Sequence, residues 1–334
     1  MTVRVGLVGT GYWGKNLLRV LNSLGALAAF CENDEAAAQP FITQYPNARH
    51  YAEFDEMLRD DTIESVVIST PAATHGVLTR QALETGRHVF VEKPLCLDVS
   101  EARSLAELAE AQGVVLMVGH LLLYHPAFVA TAFAVQEGQI GTLQYIYSNR
   151  ASLGKIRREE NALWSFAPHD ISMILALTKR MPNRVTCTGE AWLSPQIADL
   201  TLSQFEFGDK LHAHIFVSWL HPFKDHRLVV IGDKGMLVFN DSSIGPEKLT
   251  FYSHKVGWEG DLPVVDKADA VPVPYGSEEP LQQEIAHFID CCVNGKQPTS
   301  DSWEGLRVLS VLDMCQRALL EKMPITFEEE SNAR

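Results

Sequence analysis

The chain has 334 residues with 42 acidic and 28 basic side chains, a formal net charge of -14. At about 100–200 residues per domain the length favours two domains, and a hydrophobic share of 46% with 21% charged residues excludes large-scale disorder. The acidic balance argues against a general nucleic-acid or anionic-membrane binder, so an anionic small ligand would need its own local cluster of cations.

The first 120 residues alternate short β-branched runs with helical stretches. Strands are predicted over Val3 to Val8, Leu27 to Cys31, Ser65 to Ser69, His88 to Glu92 and Val114 to Gly119, with helices over Gly14 to Leu24, Thr74 to Glu84 and Ser100 to Gln112. Strands apolar on both faces and separated by helices predict a doubly wound parallel sheet.

Beyond about residue 140 the rhythm becomes that of an α+β domain with a large open, mostly antiparallel sheet. Strands are predicted over Leu143 to Asn149, Arg184 to Glu190, Asp199 to Phe207, Lys210 to Ser218, Arg227 to Ile231, Met236 to Phe239 and Leu249 to Tyr252. Gly208-Asp209 reads as a type II′ hairpin turn. Helices are predicted over Pro168 to Thr178, Leu281 to Asn294 and Trp303 to Leu320, and Glu328 to Glu330 as a solvated end. The expected division is 1–122 and 123–334, with the closing helix able to pack back on the first domain.

No apolar run reaches the roughly 18–20 residues that span a bilayer. The six cysteines are scattered without a C-x-x-C pair, a pattern of reduced thiols that favours a cytoplasmic protein.

Gly9-Thr10-Gly11-Tyr12-Trp13-Gly14 matches G-x-G-x-x-G between a strand and a helix. Gly9 permits the tight turn, Gly11 the approach of a pyrophosphate, and Gly14 close packing of helix on strand. Glu32 follows at the end of the next strand, where a carboxylate accepts from ribose hydroxyls and repels a 2′-phosphate. Asn33 and Asp34 supply no cation for such a phosphate, so NAD is the expected cofactor.

With Val89-Phe90-Val91-Glu92-Lys93-Pro94, Ser69-Thr70-Pro71 followed by His75, and Pro280-Leu281-x-x-Glu284, the chain resembles the glucose–fructose oxidoreductase, inositol dehydrogenase and rhizopine-catabolism oxidoreductases. Gly11-Tyr12-Trp13-Gly14-Lys15-Asn16 and Ser165-Phe166-Ala167-Pro168-His169-Asp170-Ile171 resemble the nucleotide-sugar branch, in particular UDP-N-acetylglucosamine 3-dehydrogenases of lipid A biosynthesis. The resemblance implies an NAD-binding Rossmann domain whose cofactor contacts include Tyr12, Trp13, Thr70, Pro71, His75, Glu92 and Lys93. It implies oxidation of a UDP-sugar at C3, a downstream aminotransferase using the 3-keto product, and Lys93 and His169 as the catalytic pair at the domain junction.

Pro94 confines Lys93 to extended geometry at the carboxyl end of a parallel strand, where doubly wound sheets bind ligands. A lysine there can stabilise a developing alkoxide, and a histidine near neutral pKa suits removal of the hydroxyl proton. The family pattern has an Asp where this chain has Ser165, so Asp170 is left either to orient His169 or to meet a helix dipole. Lys155, Arg157 and Arg158 form the local basic cluster that a diphosphate would need, though Glu159 and Glu160 make an ordinary charged loop an equal reading. Asn161 and Trp164 follow as candidates for an amide and a uracil, and His120 and Tyr124 as pocket or junction residues. His212 and His214 share a strand face, but no acid or thiol completes a metal site, so none is expected.

Within the family, a UDP-N-acetylglucosaminuronate 3-dehydrogenase and a free-sugar or inositol dehydrogenase are the nearest rivals. A non-catalytic NAD-binding sensor is the rival from another class, supported by Ser165 alone. The open sheet needs its outer face covered, so a homodimer or homotetramer is expected.

Overall fold

The computed structural model describes residues 3–327; the acidic tail at Glu328 to Glu330 lies outside them. The chain forms two compact units. One ends at Tyr124 and is rejoined by Glu278–Leu309, and the other runs from His125 to Ser277 and resumes at Ser310. The boundary expected after residue 122 thus falls after Tyr124, and the expected second domain yields Glu278–Leu309 to the first unit.

In the first unit the elements are β1 Val5–Val8, α1 Gly14–Ser23, β2 Leu27–Cys31, α2 Glu35–Gln44, β3 Arg49–Tyr51, α3 Phe54–Leu58, β4 Ser65–Ile68, α4 Ala72–Glu84, β5 His88–Glu92, α5 Val99–Gln112 and β6 Leu116–Gly119. All strand pairs are parallel, in the order β3-β2-β1-β4-β5-β6. Every residue of β1, β4 and β6 is buried, as expected of strands covered on both faces. Strand order reverses between β1 and β4, so the loops leaving their carboxyl ends flank a crevice of the kind that binds ligands in such sheets.

The second unit contains α6 Pro126–Gln136, β7 Leu143–Ala151, α7 Ala162–Thr178, β8 Arg184–Glu190, β9 Leu200–Glu206, β10 His212–Ser218, β11 Asp225–Gly232, β12 Met236–Asn240, β13 Leu249–Tyr252, the hairpin β14 Lys255–Glu259 with β15 Leu262–Asp266, and β16 Val271–Pro272. After α8 Pro280–Asn294 and α9 Ser302–Glu321, β17 Ile325–Thr326 pairs with β8. Nine strands form one sheet in the order β16-β13-β12-β11-β7-β10-β9-β8-β17, antiparallel except for the parallel β7–β10 pair. Among the described residues no helix is long and apolar enough to cross a membrane.

Two local expectations are corrected. The β9–β10 turn is not type II′, because Gly208, Asp209 and Lys210 all have positive φ, at 77°, 48° and 63°; the second turn residue of a type II′ turn has negative φ. The loop closes instead by Phe207 N–H donating to the Leu211 carbonyl at 3.0 Å. Helix α7 starts at Ala162, not at Pro168, because the Asn161 side chain caps it by accepting from Trp164 N–H at 3.1 Å. Pro168 then lies inside the helix and forfeits one backbone bond. Burial of the apolar positions Leu163, Ile171, Ile174 and Leu175 offsets that loss.

α7 is also tied to its sheet by a buried ion pair. Arg150 on β7 donates to Asp170 through Nε at 2.7 Å and Nη2 at 3.1 Å, and the Ser148 hydroxyl adds a bond of 2.6 Å. Asp170 is 0% exposed and Arg150 6%. We expect Asp170→Ala to destabilise the protein by about 3–5 kcal/mol, since it strands a buried guanidinium. Urea unfolding of the purified variant measures this, and a loss under about 1 kcal/mol would show that water reaches Arg150.

Candidate functional site

The β1–α1 loop is shaped by its glycines. Gly9 has φ +89°, and a Cβ on Gly14 would stand 2.0 Å from the Gly9 carbonyl oxygen. The helix therefore begins against the loop at a distance that only glycine allows. A Cβ on Gly11 would instead meet nothing within 4 Å, so open space lies in front of the α1 N-terminus. No side chain caps that terminus and its first turn carries no acid, which leaves its positive end to an anionic ligand. Tyr12 is 84% exposed beside this space.

Glu32 closes the site at the end of β2. Its Oε2 accepts from Thr10 N–H at 3.1 Å and from the Thr10 hydroxyl at 2.7 Å, while among the described residues Oε1 receives only the Asp34 amide at 3.3 Å. The carboxylate is fixed with acceptor capacity to spare, as a ribose diol requires. These residues fit a dinucleotide: a cradle for pyrophosphate, an anchored acid for ribose, and no cation at Asn33 or Asp34 for a 2′-phosphate.

The β4–α4 loop supplies the facing wall, where the Ser69 hydroxyl donates to the Gly9 carbonyl at 2.7 Å. Thr70 and Pro71 lie here, the latter exposed. His75, expected near the cofactor, is 2% exposed, with its ring nitrogens 2.7 Å from the Pro94 carbonyl and 2.8 Å from the Thr70 carbonyl. It braces the loop bearing Thr70 against the one bearing Lys93 and Pro94, and burial holds its pKa below the usual value. It lies in the first turn of α4, which begins at Ala72.

At the end of β5, the Trp13 indole donates to Glu92 at 2.5 Å, joining the glycine loop to the Lys93 strand end. Burial pushes the Glu92 carboxyl up, against the Trp13 bond and the Lys93 charge. His120, beyond β6, is 1% exposed, and burial with the Lys93 charge pushes its pKa down to about 3. Neither ring nitrogen meets a hydrogen-bond partner among the described residues. Tyr124 is a structural anchor rather than an available hydroxyl: its phenol meets Ser300 at 3.0 Å and its ring packs against His287.

Sequence reasoning assigned no role to Glu284. Its signal was available: Leu281, Glu284, Ile285, Phe288 and Cys291 form the buried stripe of α8, and an acid at a core position of such a stripe is anomalous.

In the second unit His169 is half-buried in the third turn of α7, not at a helix start. Asp170 is too far into the helix to meet the dipole of its first turn, and both its oxygens are engaged by Arg150 and Ser148. Ser165, at the position of the family's Asp, is 5% exposed. Asn161 and Trp164, expected to read a substrate, both donate to Gln316 Oε1, at 2.9 and 3.0 Å; they fasten the start of α7 to α9. Lys155 and Arg158 are exposed, and Arg157 pairs with Glu160 at 2.9 Å. His214 stacks on Tyr147 at 5.3 Å and meets the Tyr145 hydroxyl. Among the described residues no group of three His, Cys, Asp or Glu side chains is arranged to hold a metal.

Comparison with known proteins agrees with this arrangement. Residues 3–120 match the oxidoreductase family with an NAD-binding Rossmann fold, and residues 128–238 match the GFO/IDH/MocA C-terminal domain. The UDP-N-acetylglucosamine 3-dehydrogenase of Acidithiobacillus ferrooxidans is 25% identical over 92% of this chain and 94% of its own. A crystal form of that enzyme superposes with a TM-score of 0.83 at 22% identity, over 96% of this chain and 98% of that one. The inositol 2-dehydrogenase of Rhizobium meliloti is 29% identical over 98% of this chain and 100% of its own. The structure of GenD2 from gentamicin A biosynthesis, in complex with NAD, has a TM-score of 0.81 at 23% identity over 98% of this chain and 97% of its own.

Gly11→Ala should leave thermal stability within about 1 kcal/mol, because its methyl enters open space, yet weaken NAD binding at least tenfold by filling the cradle. Gly14→Ala should lower stability as well. Calorimetric titration with NAD beside thermal melts separates the two effects, and unchanged affinity in Gly11→Ala would remove the pyrophosphate from this loop.

Proposed function

The chain belongs to the GFO/IDH/MocA family of NAD-binding oxidoreductases, and on that premise we propose that it oxidises the C3 hydroxyl of UDP-N-acetylglucosamine to the 3-keto sugar. The observation that carries this reading is likeness, along nearly the whole of both chains, to a UDP-N-acetylglucosamine 3-dehydrogenase in sequence and in fold. The site chemistry supports it. NAD, when bound, supplies the acceptor for the hydride leaving the carbinol carbon.

Lys93 donates to the reacting hydroxyl and steadies negative charge as it develops on that oxygen. His169 takes the hydroxyl proton, a task suited to an imidazole. Glu32 and the glycine loop hold the cofactor. Lys155, Arg157 and Arg158 offer cations to the diphosphate, with Arg157 exchanging Glu160 for phosphate. The product is a ketone suited to an aminotransferase, and a second copy of the chain covers the open face of the nine-stranded sheet.

A polyol dehydrogenase is the second reading, favoured by the 29% identity to the Rhizobium meliloti inositol 2-dehydrogenase. Incubation with NAD and either UDP-N-acetylglucosamine or inositol, with a ketone trap present, should produce NADH from the nucleotide sugar alone. NADH from inositol alone would transfer the protein to the second reading. Lys93→Ala and His169→Ala should each lower kcat by at least about 10²-fold, with NAD affinity little changed in His169→Ala, consistent with loss of a positioned proton donor or acceptor. Wild-type turnover that survives either substitution would remove that residue from the chemistry.

A further inference from the structure

Glu284 is 1% exposed on the inward stripe of α8, and neither of its carboxyl oxygens meets a hydrogen-bond donor among the described residues. An ionised carboxylate in such surroundings is strongly disfavoured, whereas the neutral acid is tolerated. The Phe90 and Phe288 rings pack at 5.8 Å, which sets β5 against α8; Glu92 lies two residues on along the same face of β5 and Glu284 one turn earlier on the same stripe of α8. Glu92 is thus the charged neighbour of Glu284, and its field adds to burial in raising the Glu284 carboxyl. Glu92 has its own fixed partners: it accepts from Trp13 at 2.5 Å, and its carboxyl lies within 3.2 Å of where a Cβ on Gly119 would stand.

Lys93 acts on Glu92 and on His120, and the Tyr124 phenol is raised by burial and by Glu284. His120 is held neutral by burial and the Lys93 charge, so it contributes no cation. The Lys93 charge thus favours the ionised form of Glu92, whereas the groups that act on Glu284, burial and the Glu92 charge, both favour its neutral form. Two like charges in one buried site cannot both be ionised cheaply.

We infer that Glu284 and Glu92 hold a single proton between them, with Glu284 a positioning residue that keeps one negative charge, and only one, on the carboxyl held by Trp13. The proton resides mainly on Glu284, which has no donor to stabilise its anion, and the charge on Glu92, which has the Trp13 N–H. The pair thereby links protonation to the glycine loop: removing the shared proton adds a second negative charge behind Trp13, which borders the pyrophosphate cradle. This rests on the cofactor reading of the site and not on the identity of the sugar.

The sign follows from the charge. As pH rises and the shared proton leaves, NAD affinity falls; below that transition it is constant. Two measurements test this on the full-length protein. Carbon-13 NMR of wild type labelled at glutamate carboxyls should show one glutamate still a neutral acid at pH 7.5, and Glu284→Gln should erase that signal. Titration with NAD across pH should show wild-type affinity falling about tenfold for each pH unit beyond the transition, with Glu284→Gln, the isostere of the neutral acid, flat over the same range and equal to wild type below it. A spectrum in which every glutamate is ionised at pH 7.5 overturns the inference, as does a pH profile unchanged by Glu284→Gln. Should that variant fail to fold, the wild-type spectrum still decides. A protein that passes both tests yet oxidises no nucleotide sugar would refute the substrate reading and leave the pair intact.

Discussion

The first unit depends on a contact that exists because a side chain is missing. With the Gly9 carbonyl oxygen 2.0 Å from where a Cβ on Gly14 would lie, α1 can begin directly at the carboxyl end of β1. Any other residue would push the helix away from the strand and rotate its first N–H groups off the crevice. From this contact follow the open space before Gly11, the approach of Ser69 to the Gly9 carbonyl, and the place of Trp13, whose indole reaches Glu92 at the end of β5. A helix terminus thus serves as an anion site with no basic side chain needed, which is how an acidic chain can hold a phosphate-bearing cofactor.

The two units use buried charge in different ways. In the second, Arg150 and Asp170 complete each other through a forked pair, reinforced by Ser148, and the result is a rigid tether of α7 to its sheet. Such geometry satisfies both ions and leaves little chemistry to do. In the first unit the charges are unequal. Lys93 acts on Glu92 and on a neutral His120, and Glu92 acts on Glu284, which lacks any described donor. Unbalanced buried groups of this kind raise or lower one another's proton affinity, and they gather where proton movement matters.

Several candidate ligand residues are engaged by partners within the protein itself. His75 spans two loop carbonyls, Tyr124 meets Ser300, and Asn161 with Trp164 grips Gln316. Each partner lies on another element, in most cases far along the chain, so a polar side chain near a motif reads the same whether it faces a ligand or a neighbouring helix. The start of α7 was missed for a related reason. Proline usually opens a helix, and only the combination of the Asn161 cap with the buried flank shows that Pro168 sits inside one.

The amino-acid sequence by itself determined the alternation of strand and helix in the first unit, the glycine loop, the acid at Glu32 and the extended Lys93-Pro94 strand end. These follow from local rules: periodicity, the backbone freedom of glycine and the constraint of proline act over a few residues. The tertiary structure alone decided which polar groups are consumed and which are left over. It spent Asp170 on Arg150 and set Glu284 beside Glu92 with no described donor of its own. Those outcomes depend on burial and on partners brought together from distant parts of the chain, and neither is written in the spacing of residues.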